Sequence, residues 1–452
     1  MRVKRLKMQS FRGIGDLTLK FPTDEPTVFI GINGVGKSSI LDCLAILLSP
    51  LIELIQNSTA SGRLFSDQDI TNGHQETNNE ITISLDSQRV TWSLIQARKE
   101  HRKDSFQLKE AVENYTEALR ILKSVGRIGE VDKKRQLLGV TGELEELKAV
   151  GNKIRTHWKA NSEVNLPLVL YYPVNRAVLD ISLEIPEKQA FEQIDAYNLA
   201  LTGVQIGFGN FFQWFRALED LENEERRDNS DYRNLQLEAV RQAIYSLLPG
   251  FSNLRVRRSP LRMTVTKHGQ ELIINQLSDG EKCLLAMVGD LARRLAIANP
   301  SLPKPLQGSG VVLIDEIELH LHPKWQREII PALTRTFPNC QFIVTTHSPQ
   351  VLSQVKPDSI YILEQTDVGI TAKHPESSYG RDSNRILEDL MDVPERPQAI
   401  KESLLELFRL IGRGDLDMAR QLHKKIADEI GADEPELVGA SVSIRRREIL
   451  NR

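Results

Sequence analysis

A glycine-rich loop between two apolar runs is the feature that most constrains how this chain folds. In "PTVFIGINGVGKSSILDCLAILL", residues 31–39 match the pattern GxxxxGK[ST], after a short apolar run and before an apolar helix. Glycines let the backbone turn so that successive N–H groups point at phosphate oxygens, and the helix N-terminus adds partial positive charge. The stretch therefore predicts a strand, a phosphate-binding loop and a helix.

Two side chains of this loop carry specific chemistry. Lys37 is expected to reach the β- and γ-phosphates of ATP, and Ser38 to supply a ligand to Mg²⁺. With their neighbours they form the predicted nucleotide-binding set of the loop: Asn33, Gly34, Gly36, Lys37, Ser38 and Ser39.

Two later apolar runs end in residues that suit the same chemistry. In "VVLIDE", four apolar residues place Asp315 at the carboxyl end of a central strand, where open α/β sheets bind their ligands. Asp315 would hold magnesium through water, and Glu316 would orient or deprotonate the attacking water. In "VTTHSP", His347 is placed to contact the γ-phosphate. The alternatives are a strand that merely ends in two acids and a structural histidine.

The segment "LSDGEK", residues 277–282, has the composition of a helix start. Ser278 and Asp279 are good N-cap residues, and apolar residues follow at helical spacing. A helix start with Ser278 and the backbone of Gly280 exposed would be a phosphate-facing surface, and Glu281 belongs to the same predicted binding set. An ordinary helix cap is the alternative for this segment taken alone.

Composition excludes several classes of protein. The 452 residues allow two or three domains, and the net charge of -3 gives no global attraction to nucleic acid. Three scattered cysteines without a CxxC pair disfavour a disulfide scaffold or zinc site and suit a reducing cytosol. The most apolar run, residues 41–55, is interrupted by polar residues and falls short of the roughly 20 that a membrane helix needs. We expect a soluble, cytoplasmic protein with no membrane partner.

Hydrophobic periodicity predicts the organisation of the rest of the chain. Alternating residues predict strand pairs near 3–20 and 79–96, and a β-α-β pattern spans "GVVLIDE" to "CQFIVTTHSP". Helical spacing in 108–122 and 144–158 predicts a short antiparallel helical hairpin inserted into the first lobe. The predicted domains are 1–97, the insertion 98–160, 161–363, and a mainly helical C-terminal region, 364–452.

The order of these motifs resembles the ABC-type ATPase heads of the SMC and RecF kind. The motifs follow one another in the order phosphate loop, long insertion, "LSDGE", "VVLIDE" and strand-end histidine. The segments "SFRGI" and "DEIELHLHP" add to the likeness. The resemblance implies an α/β head with a mixed central sheet. It also implies a homodimer or higher homo-oligomer, in which Ser278 and Gly280 of one copy close over ATP held by another.

The same resemblance implies roles for residues that the motifs alone do not explain. Arg12 of "SFRGI" would lie near the nucleotide, and residues 318–323 would communicate across the dimer. Gln68 of "FSDQDI" is the candidate for the family's magnesium-contacting glutamine. His320 and His322 also suggest a metal site, but the family uses this segment as a structural and dimer-contact element.

The tail, from "SSYGRDSNRILEDLMDVPERPQAI" to "SVSIRRREIL", resembles the PtuA ATPase subunit of Septu-type antiphage systems, also found with some retrons. That likeness implies a partner HNH nuclease subunit (PtuB-like), which cleaves nucleic acid when infection is sensed, and higher oligomers of the ATPase. The amphipathic C-terminal helices would dock this partner or simply pack against the ATPase core.

Three alternatives carry different functions. A transporter ATPase is disfavoured by the motifs of the soluble branch. A built-in Toprim nuclease would need Glu364 with Asp367, or Asp415 with Asp417, as metal ligands, yet the latter pair reads better as a helix start. A RecF-like repair ATPase acting directly on DNA remains the runner-up.

Direct contact with nucleic acid would depend on local basic clusters. Three clusters would give salt-dependent, sequence-independent binding, unless they are merely solvated faces. They are Arg255, Arg257, Arg258 and Arg262; Arg98, Lys99, Arg102 and Lys103; and Arg445, Arg446 and Arg447.

Overall fold

The computed structural model describes residues 1–57, 62–86, 88–98, 140–141, 144–161, 163–176, 191–203, 206–367 and 369–450. The strands in this part of the chain are β1 Arg2–Gln9, β2 Leu17–Lys20, β3 Thr27–Ile30, β4 Glu76–Leu85, β5 Gln88–Ala97, β6 Val140–Thr141, β7 Leu168–Tyr172, β8 Phe251–Arg258, β9 Leu261–Lys267, β10 Gln270–Ile273, β11 Gly310–Ile314, β12 Cys340–Thr345, β13 Ile360–Thr366 and β14 Gly369–Lys373. The α-helices are α1 Lys37–Gln56, α2 Glu145–Ala160, α3 Phe208–Asp228, α4 Leu235–Leu247, α5 Asp279–Ala298, α6 Pro323–Thr336, α7 Pro349–Leu352, α8 Ser383–Met391, α9 Gln398–Arg413, α10 Leu416–Ile430 and α11 Pro435–Leu450.

Contacts divide the chain into two compact units, Met1–Arg381 and Asp382–Arg452. The first unit is built on a six-stranded sheet with the order β14-β13-β3-β12-β11-β7. All neighbouring pairs are parallel except β13 and β14, so the sheet is mixed. Every residue of β3, β11 and β12 is buried, as expected for parallel strands covered on both faces. The predicted α/β fold with a mixed central sheet is confirmed.

Helix α1 is the core helix beside this sheet. It is twenty residues long, and among the described residues it alone is long and apolar enough to cross a membrane. The helix therefore extends beyond the apolar run of residues 41–55, and the polar residues within that run do not end it. Of its most apolar window, 78% is buried inside the protein. Packing in the core therefore accounts for its composition.

Two antiparallel sheets complete the first unit. One has the order β2-β1-β4-β5-β6, and its long strands β4 and β5 bury alternate residues. This alternation places one face on the core and leaves the other more accessible, so both predicted strand pairs are confirmed. The other sheet is a meander with the order β10-β9-β8.

The inserted segment is described only in part. Helix α2 is the predicted second arm of the helical hairpin, and it packs against α1 and β5. It buries Leu147 and Val150, which lie three residues apart on one helical face. The predicted first arm, residues 108–122, lies outside the described residues.

The second unit is a set of amphipathic helices, α8 to α11, with its own core. The buried side chains of that core are Leu404, Leu407, Ile411, Ala419, Ile426, Leu437, Ala440 and Ile444. Helical spacing in the sequence predicts that Met418 lies on the apolar face of its helix and that Gly412 and Gly431 are helix C-caps. Two of these predictions are wrong in detail: Met418 is 57% exposed because Ala419 takes the buried position, and α9 runs through Gly412 to Arg413, with Gly414 as its C-cap at a φ of 87°. Gly431 follows α10 as its C-cap, as predicted.

A buried ion cluster joins α5 to β7 in the first unit. Asp290 of α5 accepts from Arg293 at 2.8 Å, from Arg294 at 2.7 Å, and from the Tyr172 hydroxyl at 3.0 Å. Burial alone would raise the pKa of Asp290, but Arg294 and Arg293 outweigh it and lower that pKa to about 2. The charged form of Asp290 is thus built into the fold.

Replacing Asp290 with Asn should lower the free energy of unfolding by about 3–5 kcal/mol, because two buried arginines lose their counter-charge. Urea denaturation at pH 7 measures this. The control is Asp231→Asn at an exposed position, with an expected change below about 0.5 kcal/mol. Because the folded-state pKa is depressed, the contribution of Asp290 is present above its unfolded pKa of about 3.9. It should disappear as the pH falls towards 2, and an unchanged gap between wild type and variant at low pH would contradict this assignment.

Candidate nucleotide site

The carboxyl ends of four adjacent parallel strands meet at one edge of the central sheet. The phosphate loop follows β3, the segment with His347 follows β12, and Asp315 and Glu316 follow β11. Arg176 follows β7, the neighbour of β11. Ligands bind at this edge in open α/β sheets, so topology brings the predicted residues of three motifs to one place.

The phosphate loop enters α1 with its first backbone donors uncapped by any side chain. Gly36 is the N-cap, with a φ of 98°, and no side-chain hydrogen bond caps the helix there. A left-handed φ is open to glycine at little cost, which explains this residue at the turn. Ser38 is exposed and Ser39 half-buried in the first turn, and Asn33 and Gly34 are exposed in the loop. This end of α1 suits an anion.

The Lys37 ammonium lies inside the loop and close to three carboxylates. Its Nζ donates to the carbonyl oxygens of Gly31 at 2.9 Å and Ile32 at 3.0 Å. Burial lowers the pKa of Lys37, while Asp315, Glu316 and Glu318 act to raise it. The positive charge is therefore held between the loop and the acids that end β11. Phosphate oxygens could replace the two carbonyls as its partners.

Thr345 ties the two predicted catalytic acids to the neighbouring strand. Its hydroxyl donates to Asp315 Oδ1 and accepts from the Glu316 backbone N–H at 2.7 Å. Asp315 is buried, with 2% of its surface exposed. Glu316 has a φ of 46°, a left-handed conformation that costs a non-glycine residue about 1–2 kcal/mol. A sequence pattern of four apolar residues and two acids does not predict that turn.

The segment around His347 is fixed by the loop of residues 318–323. Glu318 accepts from the backbone N–H of His347 and, at 2.7 Å, from the Thr346 hydroxyl. Farther along, Ser348 Oγ donates to Gln326 Oε1, and Gln326 Nε2 donates to the Leu321 carbonyl, both at 2.7 Å. His347 itself is half-buried. Any shift of this loop would therefore move the backbone of His347.

The "LSDGE" segment forms a capping box at the start of α5. Ser278 Oγ accepts from the Glu281 N–H at 3.4 Å, and the Ser278 N–H donates to Glu281 Oε2 at 3.0 Å. Glu281 Oε1 also pairs with Lys267 Nζ at 2.6 Å. Burial works to raise the pKa of Glu281, but Lys267 and Ser278 lower it below its usual range. Ser278 is exposed as a residue, and its hydroxyl donates to Glu281 Oε2 at 2.9 Å.

The prediction that the backbone of Gly280 is exposed is wrong. Gly280 is buried against its own chain. A Cβ at this position would lie 2.3 Å from the carbonyl oxygen of His320. Only glycine allows that approach between the "LSDGE" segment at the start of α5, here called the signature segment, and the loop of residues 318–323. The two motifs, forty residues apart in this chain by their numbers, are thus in direct contact.

Arg12 lies beside α1, held by two carboxylates. It pairs with Asp42 of α1 and with Asp69, both at 2.6 Å. Burial opposes the charged form, but Asp42 and Asp69 raise the pKa of Arg12. Gln68 is exposed in a short 3₁₀ helix, Asp67–Asp69, next to one of these partners. Its role as a magnesium ligand stays a prediction.

His320 and His322 have structural tasks. His322 is the N-cap of α6, with Nδ1 accepting from the Lys324 N–H at 3.2 Å, and the His320 carbonyl meets Gly280. No group of three His, Cys, Asp or Glu side chains in the described ranges is arranged to hold a metal ion. Asp415 and Asp417 begin α10, in agreement with the helix-start interpretation rather than with a Toprim site.

Arg176 is the residue of this site that sequence analysis missed. It is 1% exposed and follows β7 in "YYPVNR". Its Nη1 donates to the Asp315 carbonyl, and its Nη2 donates to the Glu316 carbonyl at 2.6 Å. The sequence feature that could have indicated this role is an arginine shortly after an apolar strand, because a buried arginine needs hydrogen-bond partners.

These residues fit ATP with Mg²⁺. Uncapped donors at the start of α1 and the Lys37 ammonium suit phosphate oxygens, and the Ser38 hydroxyl and Asp315 carboxylate are oxygen ligands of the kind magnesium prefers. Glu316 and His347 end neighbouring strands at the same edge. The roles of the individual residues stay predictions.

Comparison with known proteins identifies the class. A family described as "AAA domain" matches residues 5–250, and one described as "AAA domain, putative AbiEii toxin, Type IV TA system" matches residues 153–353. The first match spans more than half of the chain. The chain therefore belongs to the AAA-domain ATPase family.

Within that class the similarity to a retron protein is extensive. The chain is 30% identical to "Retron Ec83 probable ATPase" of Escherichia coli over 511 aligned residues, 99% of this chain and 87% of that protein. It is 35% identical over 105 residues to "Septu protein PtuA" of Bacillus mycoides (strain KBAB4), 23% of this chain and 14% of that one. A solved SMC head, bound to the C-winged helix domain of ScpA, has 16% identity and a TM-score of 0.45, covering 83% and 98% of the two chains.

Replacing Gly280 with Ala should lower the free energy of unfolding by about 1–3 kcal/mol, because the added methyl group meets the His320 carbonyl. Thermal or urea unfolding measures the effect. The control is Gly412→Ala within α9, where a Cβ meets nothing within 4 Å and the helix should gain up to about 1 kcal/mol. Equal stability of Gly280→Ala and the wild type would mean that the two motifs separate freely.

Proposed function

We propose that this chain is the ATP-hydrolysing regulatory subunit of an antiphage defence complex. In this proposal, ATP closes pairs of heads, and closure controls a partner HNH nuclease. The observation that carries the ATPase part is the position of Lys37, bonded within the phosphate loop and electrostatically coupled to Asp315, Glu316 and Glu318. Family membership supports ATPase activity in general.

Each chain contributes two different surfaces to the proposed reaction. Lys37 and the start of α1 bind the phosphates, and Glu316 orients the attacking water. Magnesium, held by Ser38 and Asp315, would neutralise charge that develops between the β- and γ-phosphates. The exposed Ser278 at the start of α5 is available to a nucleotide bound by a second copy.

Closure is favoured only by contacts that the γ-phosphate makes and ADP lacks. Within one chain, Gly280 touches His320, and Glu318 bonds the backbone of His347. This contact series runs from the signature segment to the strand end beside the phosphate loop. It supports the proposal that nucleotide state and head pairing are coupled.

The named relatives support a role in defence. One is a retron ATPase and another a Septu protein, and the tail of this chain resembles the Septu ATPase subunit. The second unit exposes apolar side chains that suit a protein partner. They include Leu405, Phe408, Met418, Val438 and Val442. We assign nuclease docking to this unit as part of the proposal.

A DNA-repair ATPase acting directly on DNA is the second candidate, favoured by exposed Arg445, Arg446 and Arg447 on α11. A different basic cluster argues against it. Arg255 and Arg257 both pair with Glu271 at 2.7 Å, and Arg258 pairs with Glu219. Three of the four arginines of that cluster are thus already paired with carboxylates, two of them with the same one. In the remaining cluster, only Arg98 belongs to the described residues, and it donates to backbone carbonyls.

Replacing Glu316 with Gln should leave ATP binding intact but stop hydrolysis, which traps an ATP-bound pair of heads. Size-exclusion chromatography with light scattering, with ATP and with ADP, measures the pairing. The control is Lys37→Ala, which should lose nucleotide binding and stay unpaired under both conditions. Normal turnover by Glu316→Gln would remove Glu316 from its assigned role.

Co-expression with a PtuB-like HNH nuclease subunit should yield a complex that survives purification. Its nuclease activity should change when ATP is replaced by ADP, because the two nucleotides favour different head arrangements. Deleting residues 382–452 should release the nuclease if docking occurs there. Salt-sensitive binding of DNA by the ATPase alone, without any nuclease complex, would instead favour the repair candidate.

A further inference from the structure

We propose that Arg176 is a positioning residue for ATP hydrolysis, which fixes the backbone of Glu316 and links it to the signature helix α5. The inference rests on the proposed catalytic role of Glu316. Arg176 does not belong to any of the motifs that predict the site. Its guanidinium nevertheless lies where β7, β11 and α5 meet.

Glu316 has a backbone conformation that needs support. Its left-handed φ of 46° is unfavourable for a glutamate and must be held by its surroundings. Both backbone polar groups of Glu316 are bound by side chains: the N–H by Thr345 Oγ1 and the carbonyl by Arg176 Nη2. The carbonyl also accepts from the Leu319 N–H at 3.0 Å, so Arg176 adds the side-chain contact on this side of the residue whose carboxylate is proposed to orient the attacking water.

The positive charge of Arg176 is buried among backbone carbonyls. Its Nη1 also donates to the carbonyls of Asp315 and Pro173, so one buried guanidinium serves three carbonyl oxygens. Among the residues that the structure describes, Nε is buried and has no hydrogen-bond partner, and the guanidinium bonds carbonyls rather than a carboxylate. Burying a cation with carbonyl partners is costly for stability. A role in positioning explains why an arginine occupies this place.

Arg176 and β7 lie next to helix α5. The Cys283 thiol is buried; burial raises its pKa, and the adjacent Arg176 guanidinium opposes that rise. Cys283 lies five residues beyond Ser278, the residue proposed to face the second nucleotide. In addition, Tyr172 of β7 bonds Asp290 of the same helix. Because Arg176 follows β7, a displacement of α5 on head closure would reach the Glu316 carbonyl through β7 and Arg176.

Arg176→Lys and Arg176→Gln test this role in the full-length chain. Lysine keeps the charge but has no planar fork to serve adjacent carbonyls, and glutamine keeps a donor without the charge. We expect kcat for ATP hydrolysis to fall roughly 10- to 100-fold, as for other small misplacements of catalytic groups, with the lysine variant less affected. The Kd for ATP should stay within about threefold of the wild type, because Arg176 bonds no residue of the phosphate loop.

The matched control is Arg294→Gln. Arg294 is a largely buried arginine that donates to two backbone carbonyls, those of Ala196 and Asn198, both at 2.8 Å, and also to the Asp290 carboxylate. Its replacement should lower the melting temperature without changing kcat of the folded protein. If Arg176→Gln fails to fold, Arg176→Lys carries the comparison.

A double variant separates positioning from general stability. Adding Arg176→Lys to Glu316→Gln should leave the residual single-turnover rate unchanged, because the carboxylate that Arg176 positions is already gone. Normal kcat in a folded Arg176 variant, a parallel loss of ATP binding, or an additive loss in the double variant would each overturn the inference. Normal turnover by Glu316→Gln itself would instead show that the underlying proposed function is wrong.

Discussion

One threonine hydroxyl organises the edge of the central sheet. Thr345 Oγ donates to the Asp315 carboxylate and accepts from the Glu316 N–H, so it joins the ends of β12 and β11 in a fixed orientation. The other groups at this edge take their places around that bridge. Ile317 N–H bonds the Thr345 carbonyl, and Glu318 then reaches the Thr346 hydroxyl and the backbone of His347. Because each of these bonds is buried or half-buried, the strand ends behave as one polar network rather than as separate loops.

Parallel topology explains how residues so far apart in sequence come to share this edge. Neighbouring parallel strands have their carboxyl ends on the same side, and the order β3-β12-β11-β7 places four such ends next to one another. Once the phosphate loop and "VVLIDE" are recognised, their meeting follows from the fold class. The sequence therefore predicts the strand ends at which Lys37, Asp315 and His347 lie.

The contacts that refine the site could not be predicted in this way. Thr345 and Arg176 act through backbone atoms of other residues, and such contacts leave no spacing pattern in one sequence. The burial of Gly280 depends on the left-handed turn of a distant loop at His320, φ 63°. In the second unit, helical periodicity placed most of the apolar faces correctly but not the helix end, since α9 continues one residue past Gly412. Local propensity cannot fix a helix end that a Schellman-type turn at Gly414 decides.

The bonds from Lys37 to the carbonyls of Gly31 and Ile32 have a consequence for the kinetics of nucleotide exchange. The ammonium acts as an internal template, so the loop holds a defined shape between one nucleotide and the next. On the proposed function, arrival of a triphosphate would be a substitution of ligands around an existing cation, with little chain ordering to oppose it. Departure of the product would then restore the same two bonds.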